Sequence, residues 1–422
     1  MFTIPVLLSA VLYAATFLWV TLLWPISFLM YVPLFWCQFA SYKQAFVRGV
    51  LWGAVAYGAT VWALLDLIVY VGKGPWRFVC AIGFVLYFSC LSALWFMSAY
   101  AIWRITARWW LGWIISTVLY GALVYYGILY GLTGAWQGYP LACPLVPLMN
   151  QPKLLGLLPY TGWIFLCMAF CSLQAGIAYK KKYLIFLGGL PFLVGWLCVQ
   201  ERHHIEKYDF IAPCPAFFCE TQPYERAQEV CDALLKAEYC TPQAKMIVLP
   251  ESAFPFPLEE HSYAVAMWQN NGNLFEKYLV VPAHYRKSQT ELYNSVYLLH
   301  RGRIIHRYDK KELLPFFEKG CSLNPFLKKC HTLFLKDKEE FVPGLPLQPS
   351  FKLPDGQDVQ FCICSELLWN FPQKGIVIAV VHDGHYRYSY FPFLFKLLAS
   401  FKANLYKVPL IYVAWTCQLV LS

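Results

Sequence analysis

The sequence predicts a chain in two parts: a multi-span α-helical membrane domain over residues 1–200 and a layered α/β domain over 201–422. Two observations carry this. The chain is 59% hydrophobic and only 14% charged, far from the balance of a soluble protein, and no Lys, Arg, Asp or Glu occurs from Met1 to Tyr42. After Gln200 polar residues return at ordinary spacing, and short apolar runs of strand length alternate with helical ones, as in a layered α/β domain.

Residues 3–40 form an apolar run too long for one span and broken at Trp24-Pro25, so two short membrane helices are expected there. A secretory signal is excluded by the missing positive n-region and by the spans that follow. Apolar stretches at 49–71, 78–103, 109–132, 155–178 and 183–199 bring the expected total to seven spans. With the N-terminus inside, the inner loops hold Lys43, Arg48, Arg104, Arg108, Lys180, Lys181 and Lys182, against Lys73, Arg77 and Lys153 outside. That bias sets the orientation, and an odd number of spans then places the α/β domain on the periplasmic side of a bacterial inner membrane. Asp66 falls near the end of its span, where a solvated carboxylate is expected.

In the α/β part, strands are expected at Lys245–Leu249, Tyr278–Ala283, Ser295–His300, Arg303–Tyr308, Gln360–Cys364, Gly375–Val381 and Pro409–Ala414. Helices are expected at Tyr224–Glu238, Leu258–Asn270 and Phe393–Tyr406, and residues 320–352 form an irregular stretch of functional-loop length. The net charge of +10 is scattered or sits at membrane flanks, with no basic–aromatic stripe; this excludes nucleic acid and points to anionic headgroups. No CxxC pairs with a second CxxC or with spaced histidines, and His203-His204 has no partner at metal spacing, so no metal site is expected. Cys214/Cys219, Cys231/Cys240 and Cys321/Cys330 have the spacing of small loops, and disulfides and free thiols are equally open there.

Three residues, each just beyond an expected strand, form a set with a chemical use. Glu251 follows Leu249-Pro250, Lys310 follows Tyr308-Asp309, and Cys364 ends Phe361-Cys362-Ile363-Cys364. A carboxylate can take the thiol proton, the thiolate can attack an acyl carbonyl, and the ammonium can stabilise the oxyanion, giving a thioester. Alone, each would be a strand-end surface residue or a small core cysteine. Together and in this order they point to a site. Cys362, two residues before Cys364, is expected on the same side of the strand as a core residue.

The order Pro250-Glu251, then Tyr308-x-Lys310 with Leu314-Pro315-Phe316-x-Glu318, then Cys364-x-Glu366 resembles the nitrilase or carbon–nitrogen hydrolase superfamily. Behind a multi-span membrane domain, it resembles in particular the apolipoprotein N-acyltransferase family. Gln44-Ala45-Phe46-x-Arg48-Gly49-x-Leu51-Trp52-Gly53 and the loop around Gly138-Tyr139-Pro140 extend the likeness into the membrane half. The resemblance implies a four-layer αββα sandwich with Glu251 as general base, Lys310 as oxyanion stabiliser and Cys364 as nucleophile. Glu318 would support Lys310, and Glu366 would hold the site together. It implies a phospholipid acyl donor, the N-terminal amine of a lipoprotein as acceptor, and neither metal nor diffusible cofactor. Phe254 and Phe256 would meet the acyl chain or serve as ordinary core aromatics, and Trp268 is expected in the core. Tyr293 and Asn294 would line the pocket by the same analogy.

The chain departs from the family at named positions. Ser365 stands where an aromatic residue usually follows the nucleophile, which bears on the substrate, and Phe316-Phe317-Glu318 replaces Phe-Gly-Glu. Of His382-Asp383-Gly384-His385-Tyr386 only Asp383 matches cleanly, whereas Lys402-Ala403 through Pro409-Leu410-Ile411 fits. The catalytic domain is expected to be C-terminally shortened. Three other readings follow from these departures: a conjugal-transfer protein of the TraB-type branch, an amide hydrolase of altered substrate, and a scaffold without turnover.

Overall fold

A computed structural model describes residues 3–60, 76–126, 145–198, 210–211, 222–240, 242–270, 274–314, 318, 341–354, 356–384 and 391–421. The described residues fall into two compact units, 3–198 and 210–421.

The first unit is helical. It comprises α1 (Ile4–Leu18), α2 (Val20–Leu23), α3 (Val32–Phe35), α4 (Tyr42–Thr60), α5 (Trp76–Thr106), α6 (Trp109–Tyr126), α7 (Leu158–Tyr179) and α8 (Lys182–Cys198). The break expected at Trp24-Pro25 is where α2 gives way to a 3-10 segment, Trp24–Leu29. Within α5 and α7, Val85–Thr106 and Tyr160–Tyr179 are long and apolar enough to cross a membrane; Ile4–Leu18, Trp24–Phe35 and Lys182–Leu197 are apolar but shorter. Parts of the expected spans, with Asp66, Lys73, His203-His204 and the loop around Tyr139, lie outside the described residues.

These helices are apolar inside and out. Tyr13, Trp52, Tyr57, Trp95, Phe96 and Trp113 are buried, while Leu86, Leu94 and Ile105 on α5 and Phe186, Leu187 and Leu197 on α8 are exposed. A helix that is hydrophobic all round suits an apolar solvent. Glycine sets the closest crossing of α4 and α5: a Cβ on Gly49 would stand 2.5 Å from the Ala93 Cα.

The second unit holds eleven described strands: β1 (Phe210–Ile211), β2 (Met246–Val248), β3 (Phe254–Pro257), β4 (Tyr278–Ser288), β5 (Glu291–His300), β6 (Arg303–Asp309), β7 (Phe351–Lys352), β8 (Asp358–Ile363), β9 (Ile376–Val381), β10 (Leu410–Ala414) and β11 (Gln418–Leu421). Its helices are α9 (Pro223–Cys240), α10 (Ser262–Gln269), α11 (Glu366–Trp369) and α12 (Phe391–Tyr406). One sheet runs β1-β2-β4-β5-β6 with β3 paired to β4, and the other runs β11-β10-β9-β8-β7.

The period of two along each strand decides the layers. On β4, Leu279, Val281 and Ala283 face α9 and α10 in a core with Val230, Leu234 and Trp268. Val280 faces the other way, into a core shared with the second sheet through Val248, Val296, Phe361, Ile363, Ile378 and Val413. On the second sheet, α12 packs against β10 and β11. The result is a four-layer αββα sandwich.

The structure changes several expectations. The expected helix 258–270 opens as a 3-10 turn at Leu258–His261, and β5 starts at Glu291, ahead of the expected Ser295. The short strands β1, β3, β7 and β11 gave no readable pattern; β3 even carries Pro255 and Pro257, which interrupt the sequence signal of a strand. Cys231 and Cys240 both lie on α9, where nine residues separate them by about 13 Å along the axis, too far to bridge to each other. The other two cysteine pairs lie outside the described residues.

Candidate active site

Glu251, Lys310 and Cys364 each follow the carboxyl end of a strand: β2, β6 and β8 respectively. The β2 end is closed by a turn in which the Ala253 N–H donates to Pro250 O at 3.1 Å and Ser252 adopts a left-handed φ of 58°. That turn delivers the Glu251 side chain to a buried position, 4% exposed. Its Oε1 accepts from Asn294 Nδ2 at 2.9 Å and from Lys310 Nζ at 3.4 Å, and its Oε2 accepts from the His382 N–H at 2.9 Å.

Lys310 is held on its main chain from two sides, its N–H donating to Asn294 O and its carbonyl accepting from the Gly344 N–H, both at 2.8 Å. The preceding residue is clamped by Gln348, whose Oε1 accepts from the Asp309 N–H at 2.8 Å while its Nε2 donates to Asp309 O at 2.6 Å. The ammonium, 1% exposed, lies 2.8 Å from Glu318 Oε2 and 3.4 Å from Glu251 Oε1. Burial alone would push its pKa down, but Glu318, then Glu251 and Cys364, outweigh this and hold it well above the ordinary lysine value. Lys310 is therefore a fixed cation. Asn294 Nδ2 completes the cluster by donating to Glu318 Oε1 at 2.8 Å as well as to Glu251.

Cys364 occupies a strand-to-helix turn with a φ of 44°, its N–H donating to Val380 O at 2.9 Å. A left-handed non-glycine residue costs about 1–2 kcal/mol and is held there by its surroundings. The side chain is half-buried and packs against the edge of the inter-sheet core. Burial pushes the thiol pKa well above its usual value; Glu251 and Glu318 add to the rise, and Lys310 and a main-chain hydrogen bond from His382 oppose it. Such a thiol does not ionise unaided and depends on a base.

Glu366 ties the two loops together. Its Oε1 accepts from Tyr308 OH at 2.9 Å and from the Lys311 N–H at 2.7 Å, and its Oε2 accepts from the Ile363 N–H at 2.8 Å. Ser365 adds a second tie, its Oγ donating to Glu312 O at 2.8 Å. Burial lifts the Glu366 carboxyl from 4.5 to about 7 against the pull of these donors. Because the folded value lies above the unfolded one, the group's stabilising contribution is complete below pH 4.5 and is lost as pH rises to about 7, a span worth about 3 kcal/mol. Glu366→Gln should remove that slope: its melting-temperature deficit relative to the parent is expected to be largest near the acid end of this window and to shrink towards neutral pH.

Other expected pocket residues are placed elsewhere. Phe254 is fully buried in the helix-side core, edge-on to Trp268 at 5.4 Å, where it serves as a core aromatic. Tyr293 stands on the opposite side of β5 from Asn294, 5.7 Å from the Tyr285 ring. Ser365 is 1% exposed and its hydroxyl is committed to Glu312, so it fastens loops and does not line the site. Cys362 and Cys364 do not share a face: β8 ends at Ile363, and the left-handed turn swings Cys364 towards the inter-sheet core while Cys362 lies beside Lys402 of α12. Residues absent from the sequence reading include Tyr308 as a donor to Glu366, Gln348, and Trp415, whose Nε1 donates to Glu251 O at 2.8 Å. His382 contributes its main-chain N–H to Glu251, and His385 lies outside the described residues. Among the described residues no group of acidic, cysteine and histidine side chains has the makings of a metal site.

The site joins a strand-end thiol to a buried carboxylate–ammonium–carboxylate cluster on an αββα sandwich. Among solved structures the chain is similar to a carbon–nitrogen hydrolase from Helicobacter pylori G27 (TM-score 0.34, 13% identity, 47% of this chain and 70% of that one). It is also similar to an amidase of the nitrilase superfamily from Nesterenkonia AN1 (TM-score 0.32, 16% identity, 46% and 71%). No family model matches the sequence. In sequence the chain is similar to the apolipoprotein N-acyltransferase of Wolinella succinogenes, at 25% identity over 173 residues, and the match spans 40% of each protein.

Proposed function

We propose that this protein is a multi-pass membrane acyltransferase that moves a phospholipid acyl chain through a Cys364 thioester to the N-terminal amine of a lipoprotein. Residues 1–200 form the membrane domain, and residues 201–422 the catalytic domain on the periplasmic side of a bacterial inner membrane. The observation that carries the reading is the buried cluster of Glu251, Lys310, Glu318 and Asn294 at the strand ends, within electrostatic reach of Cys364. The similarity to an apolipoprotein N-acyltransferase and the two apolar helices of spanning length support the choice of substrates and compartment.

In the first half-reaction Glu251 takes the Cys364 proton as sulfur attacks the ester carbonyl. A C–S bond forms, and Lys310 stabilises the oxyanion. Collapse breaks the C–O bond, and the proton on Glu251 passes to the leaving alkoxide, releasing a lysophospholipid. In the second half-reaction the acceptor amine attacks the thioester. The C–N bond forms, the C–S bond breaks, and Glu251 relays the amine proton to the departing thiolate. Glu318 and Asn294 keep the lysine and the base in register throughout.

A labelled-acyl experiment tests this. The full-length protein in micelles of phospholipid with a labelled acyl chain is expected to acquire hydroxylamine-labile label, which then moves to an added lipopeptide with a free N-terminal amine. Label that leaves only as free fatty acid would favour a hydrolase, in which water replaces the amine as the acceptor. No label on folded, reduced protein would overturn the acyltransferase. Nothing in the fold or the similarities favours the conjugal-transfer reading.

A further inference from the structure

We infer that Trp415 and Arg226 are positioning residues for Glu251, locking its main chain from two different layers of the sandwich; this rests on Glu251 acting as the base. The turn that carries Glu251 is not self-sufficient. Ser252, a non-glycine residue, holds a φ of 58° in its middle, a conformation that persists only where neighbours impose it. The carbonyls on either side of Ser252 are each taken by a side chain. Trp415 Nε1 donates to Glu251 O at 2.8 Å, and Arg226 Nε donates to Ala253 O at 2.9 Å. Arg226 comes from α9, outside the first sheet, and Trp415 from the end of β10 in the second. The two meet, with the guanidinium carbon 5.6 Å from the Trp415 ring centroid, and both are nearly fully buried at 5% and 6% exposure.

The grip on Glu251 closes into a ring. Thr416, next to Trp415, gives its N–H to Asp383 Oδ1 at 3.0 Å and its hydroxyl to Asp383 Oδ2. His382, next to Asp383, gives its N–H to Glu251 Oε2 at 2.9 Å, and its ring lies 5.5 Å from that of Trp415. The same pair of strand ends, β9 and β10, thus holds both the carboxylate of Glu251 and its carbonyl. Arg226 is paired with Glu229 at 3.1 Å, so its charge is largely spent locally and its service to the turn is geometric. Phenylalanine at 415 would keep an aromatic ring in the site while removing the indole N–H that Glu251 O accepts.

The test uses the full-length protein in micelles and reads the pH–rate profile of Cys364 alkylation by iodoacetamide, which needs no acyl substrate. Glu251→Gln serves as the reference displacement of that profile. Trp415→Phe is expected to move the profile part of the way towards Glu251→Gln, by about half a pH unit, with a lowered melting temperature from the lost buried donor. The double variant is expected to coincide with Glu251→Gln, because the tryptophan acts only through the glutamate. Arg226→Lys keeps the charge beside Glu229 but loses the reach to Ala253 O; it should shift the profile in the same direction, and it carries the test if Trp415→Phe fails to fold. Profiles of Trp415→Phe and Arg226→Lys that superimpose on the parent, while Glu251→Gln is displaced, would overturn the positioning role alone. A Glu251→Gln profile identical to the parent would overturn the base and the positioning role together.

Discussion

Cys364→Ala is expected to lose hydroxylamine-labile acyl label to background, a fall of at least about a thousandfold, while its melting temperature stays close to that of the parent. The size of the effect follows from the site. Cys364 is the thiol that Glu251, Glu318 and Lys310 all act on electrostatically, and it is half-buried at a strand end, whereas Cys362 is fully buried against α12. The stability is spared because the turn is held by main-chain bonds, Cys364 N–H to Val380 O and Leu367 N–H to Cys364 O at 2.9 and 3.0 Å, which alanine keeps. Acyl trapping on both variants, with thermal melts alongside, checks this; label that survives in Cys364→Ala would move the nucleophile elsewhere.

Lys310→Met is expected to be as inactive, and to unfold at a markedly lower temperature. Removing the cation leaves Glu251 and Glu318 facing each other across a buried site with only the Asn294 amide between them. Breaking a buried pair in this way costs about 3–5 kcal/mol, or roughly 6–20 °C of melting temperature for a domain of this size. The loss has a definite cause: two like charges held in one buried site repel once the cation between them is gone. Glu318→Gln added to Lys310→Met removes one of the like charges and is expected to return most of the stability with none of the activity. Thermal melts from acid to neutral pH on the single and double variants decide the matter; equal stability of Lys310→Met and the parent at neutral pH would show that the cluster is not held by charge.

Much of this molecule follows from local chemistry that the sequence carries on its own. The absence of charge before Tyr42 and the apolar stretches after it mark the first half as helical and apolar. The strand-length runs ending at Leu249, Tyr308 and Cys364 place a carboxylate, an ammonium and a thiol at strand ends. The eight-residue interval from Lys310 to Glu318 was visible as a motif, and in the structure it closes as an ion pair of 2.8 Å. Tertiary structure alone decided the rest. Whether Phe254 meets a ligand or a core depends on which side of the first sheet α10 covers, and Trp268 from that helix seals it in. Asn294 bridges two carboxylates and Tyr293 beside it does not, because one step along a strand reverses the face. Cys362 and Cys364 part company because a single residue at φ 44° ends the period of two. Trp415 reaches Glu251 across a sequence separation of 164 residues, and a contact made only when two sheets pack face to face leaves no trace in the local order of the chain.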